Sequence, residues 1–162
     1  MKKIGVVGLG NMGMGIAKNL IKNRFNTTGF DLRDSCLKEL KNSGGNVASS
    51  VEDVGKICDV VFIMVMDGNQ VKDVVAKLSA GLKDDGIIII TATITPEEVR
   101  SAYEIAKKNN IEMIDSPVSG GLQGAHEGTL TLMSAADKNV FNNCKDILKS
   151  ISKDIFHVGN NI

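Results

Sequence analysis

Glycines fall at positions 8, 10 and 13, directly after the apolar run Ile4-Gly5-Val6-Val7. In the spacing G-x-G-x-x-G the first glycine permits a tight turn and the second lets backbone approach a pyrophosphate. The third lets the following helix lie close to the strand. The start of that helix offers unpaired N–H groups and the positive end of its dipole to an anion. Gly8, Leu9, Gly10, Asn11, Met12 and Gly13 therefore form a candidate diphosphate cradle, standing where the motif must, between a strand and a helix. The plain alternative is a glycine turn that binds nothing. Asp31 follows Gly13 by 18 residues, at the end of an expected strand, where a carboxylate can hold ribose hydroxyls. Its alternative task, capping the next helix, is one that Asp34 can perform. Arg33 can accept a 2′-phosphate, but a carboxylate beside a phosphate is repulsive, so the pair favours NAD over NADP.

A second group of residues is Asp115-Ser116-Pro117-Val118-Ser119-Gly120-Gly121. Ser119, Gly120 and Gly121 can turn one hydroxyl and several backbone N–H groups toward an anion such as a substrate carboxylate. A tight turn needing glycine at positive φ explains the same residues equally well. Ser119 lacks the G-x-S-x-G elbow of a hydrolase nucleophile. His126 and His157 have no cysteine or acid at metal-ligand spacing, so no metal site is expected.

The elements that must position these groups alternate along the chain. Met12, Ile16 and Leu20 give the first helix an apolar stripe, and Asn26–Phe30 reads as the second strand. Ser35–Lys41 is an expected helix ended by Gly44-Gly45. Asn46–Ala48 is a short strand, and Ser49 or Ser50 caps a short helix from Val51. Asp59–Met66 reads as a central strand, apolar after its first residue, whose far end carries Val65-Met66-Asp67 toward the glycine turn. A helix with Val71, Val74, Val75 and Leu78 on one face follows, then a strand over Gly86–Thr91. Thr95-Pro96-Glu97-Glu98 is a capping box with proline at the first helical position. Glu112–Asp115 is the sixth strand, and the segment from Asp115 to Gly121 reads as a loop. Thr129–Ser134 is a strand, Phe141, Cys144, Leu148 and Ile151 mark a helix, and Ile155–Val158 is the last strand. The sum is an α/β fold of Rossmann type, a doubly wound, mostly parallel sheet with flanking helices, formed by residues 1–162 as one dinucleotide-binding domain.

Composition excludes several function classes. The 19 basic and 19 acidic residues cancel, so no overall field draws the chain to nucleic acid or to an anionic membrane. The clusters Lys107-Lys108 and Lys149–Lys153 read as solvated helix edges. Three widely spaced cysteines, Cys36, Cys58 and Cys144, are expected as free thiols in a reducing cytoplasm. Met1-Lys2-Lys3 before an apolar run faintly imitates a targeting leader, but glycines interrupt the run and no small-residue cleavage site follows. Val60–Met66 and Ile87–Ile90 are too short to span a bilayer.

The sequence resembles the cofactor domain of the β-hydroxyacid dehydrogenases, a group that includes 3-hydroxyisobutyrate dehydrogenase and is related to 6-phosphogluconate dehydrogenase. The resemblance rests on Ile4–Gly13, on Thr93-Ile94-Thr95-Pro96, on Asp115–Gly121 with Gly124-Ala125 and Gly128-Thr129-Leu130, and on Lys153–Gly159. It implies nicotinamide-dependent oxidation of a 3-hydroxy acid or reduction of the matching semialdehyde. By that pattern Gly8–Gly13 and Asp31 take the adenosine diphosphate half. Val65, Met66, Asp67 and Thr93 line the nicotinamide half, and Ser119, Gly120 and Gly121 contact substrate. The general acid/base of the family is a lysine on a helix just beyond the cofactor domain. The resemblance places it beyond Ile162, and no lysine of this sequence matches its motif. No catalytic residue is therefore expected within the 162 residues, nor turnover by them alone. The helical second domain, which closes the cleft and commonly builds a homo-oligomer, is likewise not expected here. Relatives usually carry Leu-Pro where this chain has Met66-Asp67, and serine where it has Ala92, which leaves the substrate open. Two alternatives remain at this point: the cofactor domain of an imine reductase, which replaces that lysine, and a dinucleotide-binding module without chemistry.

Overall fold

The computed structural model describes residues 2–162. Met1, first residue of the segment weighed as a leader, lies outside the described residues. The chain runs β1 (Lys3–Val7), α1 (Asn11–Lys22), β2 (Asn26–Phe30), α2 (Asp34–Asn42), β3 (Asn46–Val47), α3 (Val51–Ile57), β4 (Val60–Ile63) and α4 (Gly68–Ser79). It continues through β5 (Ile87–Ile90), α5 (Pro96–Lys107), β6 (Glu112–Asp115), β7 (Val118–Ser119), α6 (Gly121–Glu127), β8 (Leu130–Ala135), α7 (Lys138–Lys149) and β9 (Ser152–Gly159).

Strands β3-β2-β1-β4-β5-β6 are parallel neighbours in that order, so the chain reverses its direction across the sheet between β1 and β4. Outside the carboxyl ends of strands at such a reversal, open sheets of this kind hold ligands. β8 joins β6 antiparallel through Asp115 and Ala135, and it pairs with both β7 and β9. β4 and β5 are buried at every position, the pattern of strands covered on both faces. Two apolar clusters fill those faces. One gathers Ile4, Val6, Phe62, Leu20, Leu132 and Phe141; the other gathers Val61, Ile63, Ile88, Ile90, Leu78 and Ala102. Past β9 the chain turns back to the sheet, and the Ile162 side chain packs half-buried against the second cluster.

The α/β reading holds, with boundary corrections that have local causes. β4 ends at Ile63, where Met66 had been expected, because the apolar residues Met64–Met66 leave the sheet to line a cleft. β5 is Ile87–Ile90, shorter by one residue at each end, and β3 stops at Val47. The segment after Asp115 is no simple loop: it contains β7 and then α6, a helix opened by Gly120 and Gly121 at positive φ. β9 starts three residues earlier than expected, extending the pairing along β8. Ser50 caps α3 by accepting the Asp53 N–H at 3.1 Å, while the Ser49 hydroxyl bonds to the Asp53 carboxylate. The Thr95–Glu98 capping box is fully formed. Among the described residues, no helix is long and apolar enough to cross a membrane and no metal-binding cluster exists. The cysteines are free.

Candidate functional site

A cleft of about 800 Å³ opens outside the carboxyl ends of β1, β2 and β4. Its floor is the turn from β1 into α1. Gly8 stands at φ +90, and a side chain there would strike the Met64 carbonyl. At Gly13 a side chain would strike the Gly8 carbonyl, so helix and turn touch backbone to backbone. Gly10 differs. Its φ of −64 suits any residue, and the nearest atom to a hypothetical Cβ is the Arg33 Nη2 at 3.6 Å. The exposed surface of Gly10 therefore faces the cleft. Behind it, the first turn of α1 leaves backbone donors without partners inside the helix. No side chain caps that helix. A cradle of that shape fits a diphosphate, with no room for a side chain at Gly8 or Gly13 and open space over Gly10.

Asp31 directly follows β2 on the wall of the same cleft, its side chain only 9% exposed. Its Oδ2 accepts the Leu9 N–H at 2.7 Å, which locks the carboxylate to the glycine turn. Oδ1 accepts the Arg33 backbone N–H at 2.9 Å. The Arg33 guanidinium then spans both oxygens, Nε to Oδ1 at 2.9 Å and Nη2 to Oδ2 at 3.0 Å. Burial works to raise the Asp31 pKa, but the hydrogen bonds from Arg33 and Leu9 outweigh it and hold the carboxyl below its usual range. Asp31 does not cap α2; Arg33 occupies that position without a side-chain bond, and Asp34 sits in the first turn. Leu32 and Met66 stand 91% and 86% exposed on the rim of the cleft. They offer apolar surface to a flat ring, and Val51 and Val74 add to it from α3 and α4.

Gly8, Gly10, Asn11, Asp31, Arg33, Val65 and Met66 thus line one cleft. The remaining candidates are placed otherwise. Leu9 turns its side chain into the core against Gly29 and contributes only its N–H. Met12 is half-buried against the core. Asp67 does not line the cleft: it caps α4, accepting the Gln70 N–H at 2.9 Å, while the Gln70 side chain accepts the Met66 N–H at 3.0 Å. Thr93 is exposed in the loop after β5, outside the cleft lining. Ile162, beyond which the resemblance puts the family's lysine, is also no part of that lining; its contacts are with the apolar cluster on the α4 and α5 side of the sheet.

Ser119, Gly120 and Gly121 are exposed where β7 runs into α6. Gly120 at φ +125 requires glycine and Gly121 at φ +60 favours it, in line with the turn reading. These residues are nevertheless tied to the cleft. α6 packs on α1 so closely that a side chain at Gly15 would meet the Ala125 backbone at 2.7 Å. Buried Asn19 donates from Nδ2 to the carbonyls of Ala125 at 2.8 Å and His126 at 3.1 Å. Sequence reasoning passed over Asn19, Leu32 and Gln70. A polar residue inside the apolar stripe of α1 was the available signal for the first.

The family described as "NAD binding domain of 6-phosphogluconate dehydrogenase" matches residues 3–159. A probable mitochondrial 3-hydroxyisobutyrate dehydrogenase of Dictyostelium discoideum is 37% identical over 161 residues, which is 98% of this chain and 50% of that protein. The structure of Mycobacterium tuberculosis 3-hydroxyisobutyrate dehydrogenase with L-serine superposes with a TM-score of 0.96 at 27% identity, covering 99% of this chain and 55% of that one. A Myxococcus stipitatus imine reductase variant in complex with NAD+ superposes with a TM-score of 0.91 at 18% identity, covering 98% of this chain and 55% of that one. That likeness is one of fold alone. The chain spans about half the length of the curated relatives it matches.

Proposed function

The chain belongs to this NAD-binding family, with β-hydroxyacid dehydrogenases as its relatives, and from that premise we propose that it is the nucleotide-holding half of an NAD-dependent 3-hydroxyacid dehydrogenase. The observation that carries the reading is the carboxylate of Asp31, fixed by the Leu9 N–H at 2.7 Å on the wall of the cleft whose floor is the glycine turn. When bound, NAD supplies the hydride acceptor for oxidation of a secondary or primary alcohol carbon. The chain's own residues bind and orient. The Gly10 surface and the first N–H groups of α1 receive the diphosphate, and Asp31 accepts from the ribose hydroxyls of the adenosine. Leu32 covers the adenine, and Met66, expected on the nicotinamide half, stands exposed on the same rim and is assigned to the adenine with it. Val65 and Thr93, in the segments that follow β4 and β5, are the proposed contacts of the nicotinamide half. Asp67, whose Oδ1 caps α4, keeps its second carboxylate oxygen for the same half in this proposal.

Ser119, Gly120 and Gly121 are the proposed contacts of the substrate carboxylate, with α6 held against α1 by Asn19. The substrate class is a small 3-hydroxy acid or its semialdehyde. Residues 1–162 act in this proposal as one dinucleotide-binding domain. The base that takes the hydroxyl proton is a lysine beyond Ile162, so these residues bind nucleotide without turnover. The homo-oligomer is built by the second domain of the family. The three free thiols support the reading of a reducing compartment such as the cytoplasm.

Titration of the chain with NADH, followed by nucleotide fluorescence, tests the cofactor assignment. Saturable one-to-one binding, displaced by NAD, is the expected result. A flat titration, or dehydrogenase turnover by the 162 residues alone, would overturn the proposal in its first or its last part respectively.

A further inference from the structure

Strands β4 and β5 each run into a loop at the carboxyl end of the sheet, residues 64–67 before α4 and residues 91–95 before α5. The two loops are joined at both of their ends. At the sheet, the buried Thr91 hydroxyl donates to the Ile63 carbonyl at 2.9 Å. At the far side the joint is Glu98. Its Oε2 accepts the backbone N–H of Thr95 at 2.9 Å and the Thr95 hydroxyl at 3.0 Å. Its Cγ, Cδ and Oε1 fill the space that a side chain on buried Gly68 would need. One carboxylate thus closes the cap of α5 and lies on the first residue of α4, where the positive end of a helix favours an anion. Thr93 stands exposed between the two joints.

We propose that Glu98 is a positioning residue for the nicotinamide half of the cofactor: seated on Gly68, it holds the loop of residues 91–95 in the form that presents Thr93. This rests on the reading of the cleft as a dinucleotide site and of Thr93 as a nicotinamide contact. The loop after β4 has anchors of its own. The Met66 N–H donates to the Gln70 side chain at 3.0 Å, and Asp67 accepts the Gln70 N–H at 2.9 Å. Removing Glu98 therefore frees the loop after β5 and leaves the loop after β4 in place. A freed loop must be ordered when the nicotinamide arrives, and that ordering subtracts from affinity. The adenosine diphosphate half, received at Gly10 and Asp31, does not draw on it. The glycine at 68 serves by leaving room, and the acid at 98 uses that room.

The test is calorimetric titration with NADH and with ADP-ribose, which lacks the nicotinamide, on the wild-type chain and four variants. Glu98→Ala should bind NADH more weakly by about threefold to tenfold, the scale of ordering one or two side chains, with ADP-ribose unchanged. Gly68→Ala, which pushes Glu98 off its seat without removing it, should show the same split. In the double variant Gly68→Ala/Glu98→Ala the methyl group finds its space empty, so binding should match Glu98→Ala. Thr95→Ala weakens the cap of α5 and keeps the Thr95 N–H on Glu98. It should lower Tm and leave both affinities as in wild type. Equal losses for the two ligands in Glu98→Ala, or no loss, overturn the positioning role, as does a Thr95→Ala variant that reproduces the split. A Gly68→Ala variant that binds like wild type overturns the seat on Gly68, and so does a double variant weaker than Glu98→Ala. Binding of neither ligand by the wild-type chain removes the cofactor site and this proposal together.

Discussion

The Nδ2 of Asn19 donates to the Ala125 carbonyl at 2.8 Å, a buried bond between residues 106 positions apart in sequence. It joins the helix that begins at the glycine turn to the helix that begins at Gly121. Asn19→Ala would leave the Ala125 and His126 carbonyls without this donor in a closed interface. The expected cost is about 2 to 3 kcal/mol, the penalty for orphaned buried polar groups. Urea unfolding measures it, and amide hydrogen exchange of α6 should speed up more than that of β4 or β5.

Gly10 and Gly8 separate binding from folding. Alanine at 10 fits sterically and adopts φ −64 without strain, so Gly10→Ala should melt within a degree or two of wild type. It should lose NADH affinity by tenfold or more, on the order of 1.4 kcal/mol, because the methyl group stands where the diphosphate must approach. Gly8→Ala places a side chain at φ +90 against the Met64 carbonyl. A clear fall in Tm is expected there, whether or not nucleotide is present.

Asp115 and Asp31 should act on stability in opposite directions. Burial pushes the Asp115 carboxyl up from 3.8 to about 6. In the window between those values the native state keeps a proton that the unfolded chain has lost, so stability falls as pH rises through it and stays lowered above it. Asp115→Asn removes that fall and should gain on the order of 1 kcal/mol at pH 8, a figure discounted for partial exposure. The Asp31 pKa is held below 3.8 in the folded chain. Its contribution is present above that value and disappears as pH falls through the lower, folded-state value. Chemical unfolding from pH 3 to pH 8, with and without Asp115→Asn, resolves the two windows.

Ser116 and Ser134 share one buried hydrogen bond of 2.9 Å at the junction of β6 and β8. Ser116→Ala leaves the Ser134 hydroxyl unpaired and should cost about 1 to 3 kcal/mol. Replacing both by alanine should cost less than the sum of the single changes, because no polar group is then stranded. A double-mutant cycle by urea unfolding reads this directly.

Much of this architecture was legible from short-range rules. β2, β6 and the capped start of α5 fall where turn chemistry and caps put them. The cradle and Asp31 were legible because glycine spacing reflects backbone needs that few other residues meet. Other features depend on partners remote in sequence. The apolar run Val60–Met66 cannot reveal that Met64–Met66 serve a cleft wall and not a sheet, since both environments select hydrocarbon. α6 carries glycines at 121 and 124, which depress helix propensity, and its place is set by α1. The fork of Arg33 on Asp31 depends on a side-chain rotamer, about which spacing says nothing. Asp67 was read with the cleft residues; it stands outside the cleft lining, with one carboxylate oxygen capping α4 at the Gln70 N–H.

The bare hydrocarbon of Leu32 and Met66 at the mouth of the cleft has a practical consequence. Two oily lips facing water make the ligand-free protein adhesive toward its own kind. Colloidal behaviour at high concentration should therefore track occupancy, with light scattering falling when a purine nucleotide is included in the storage buffer.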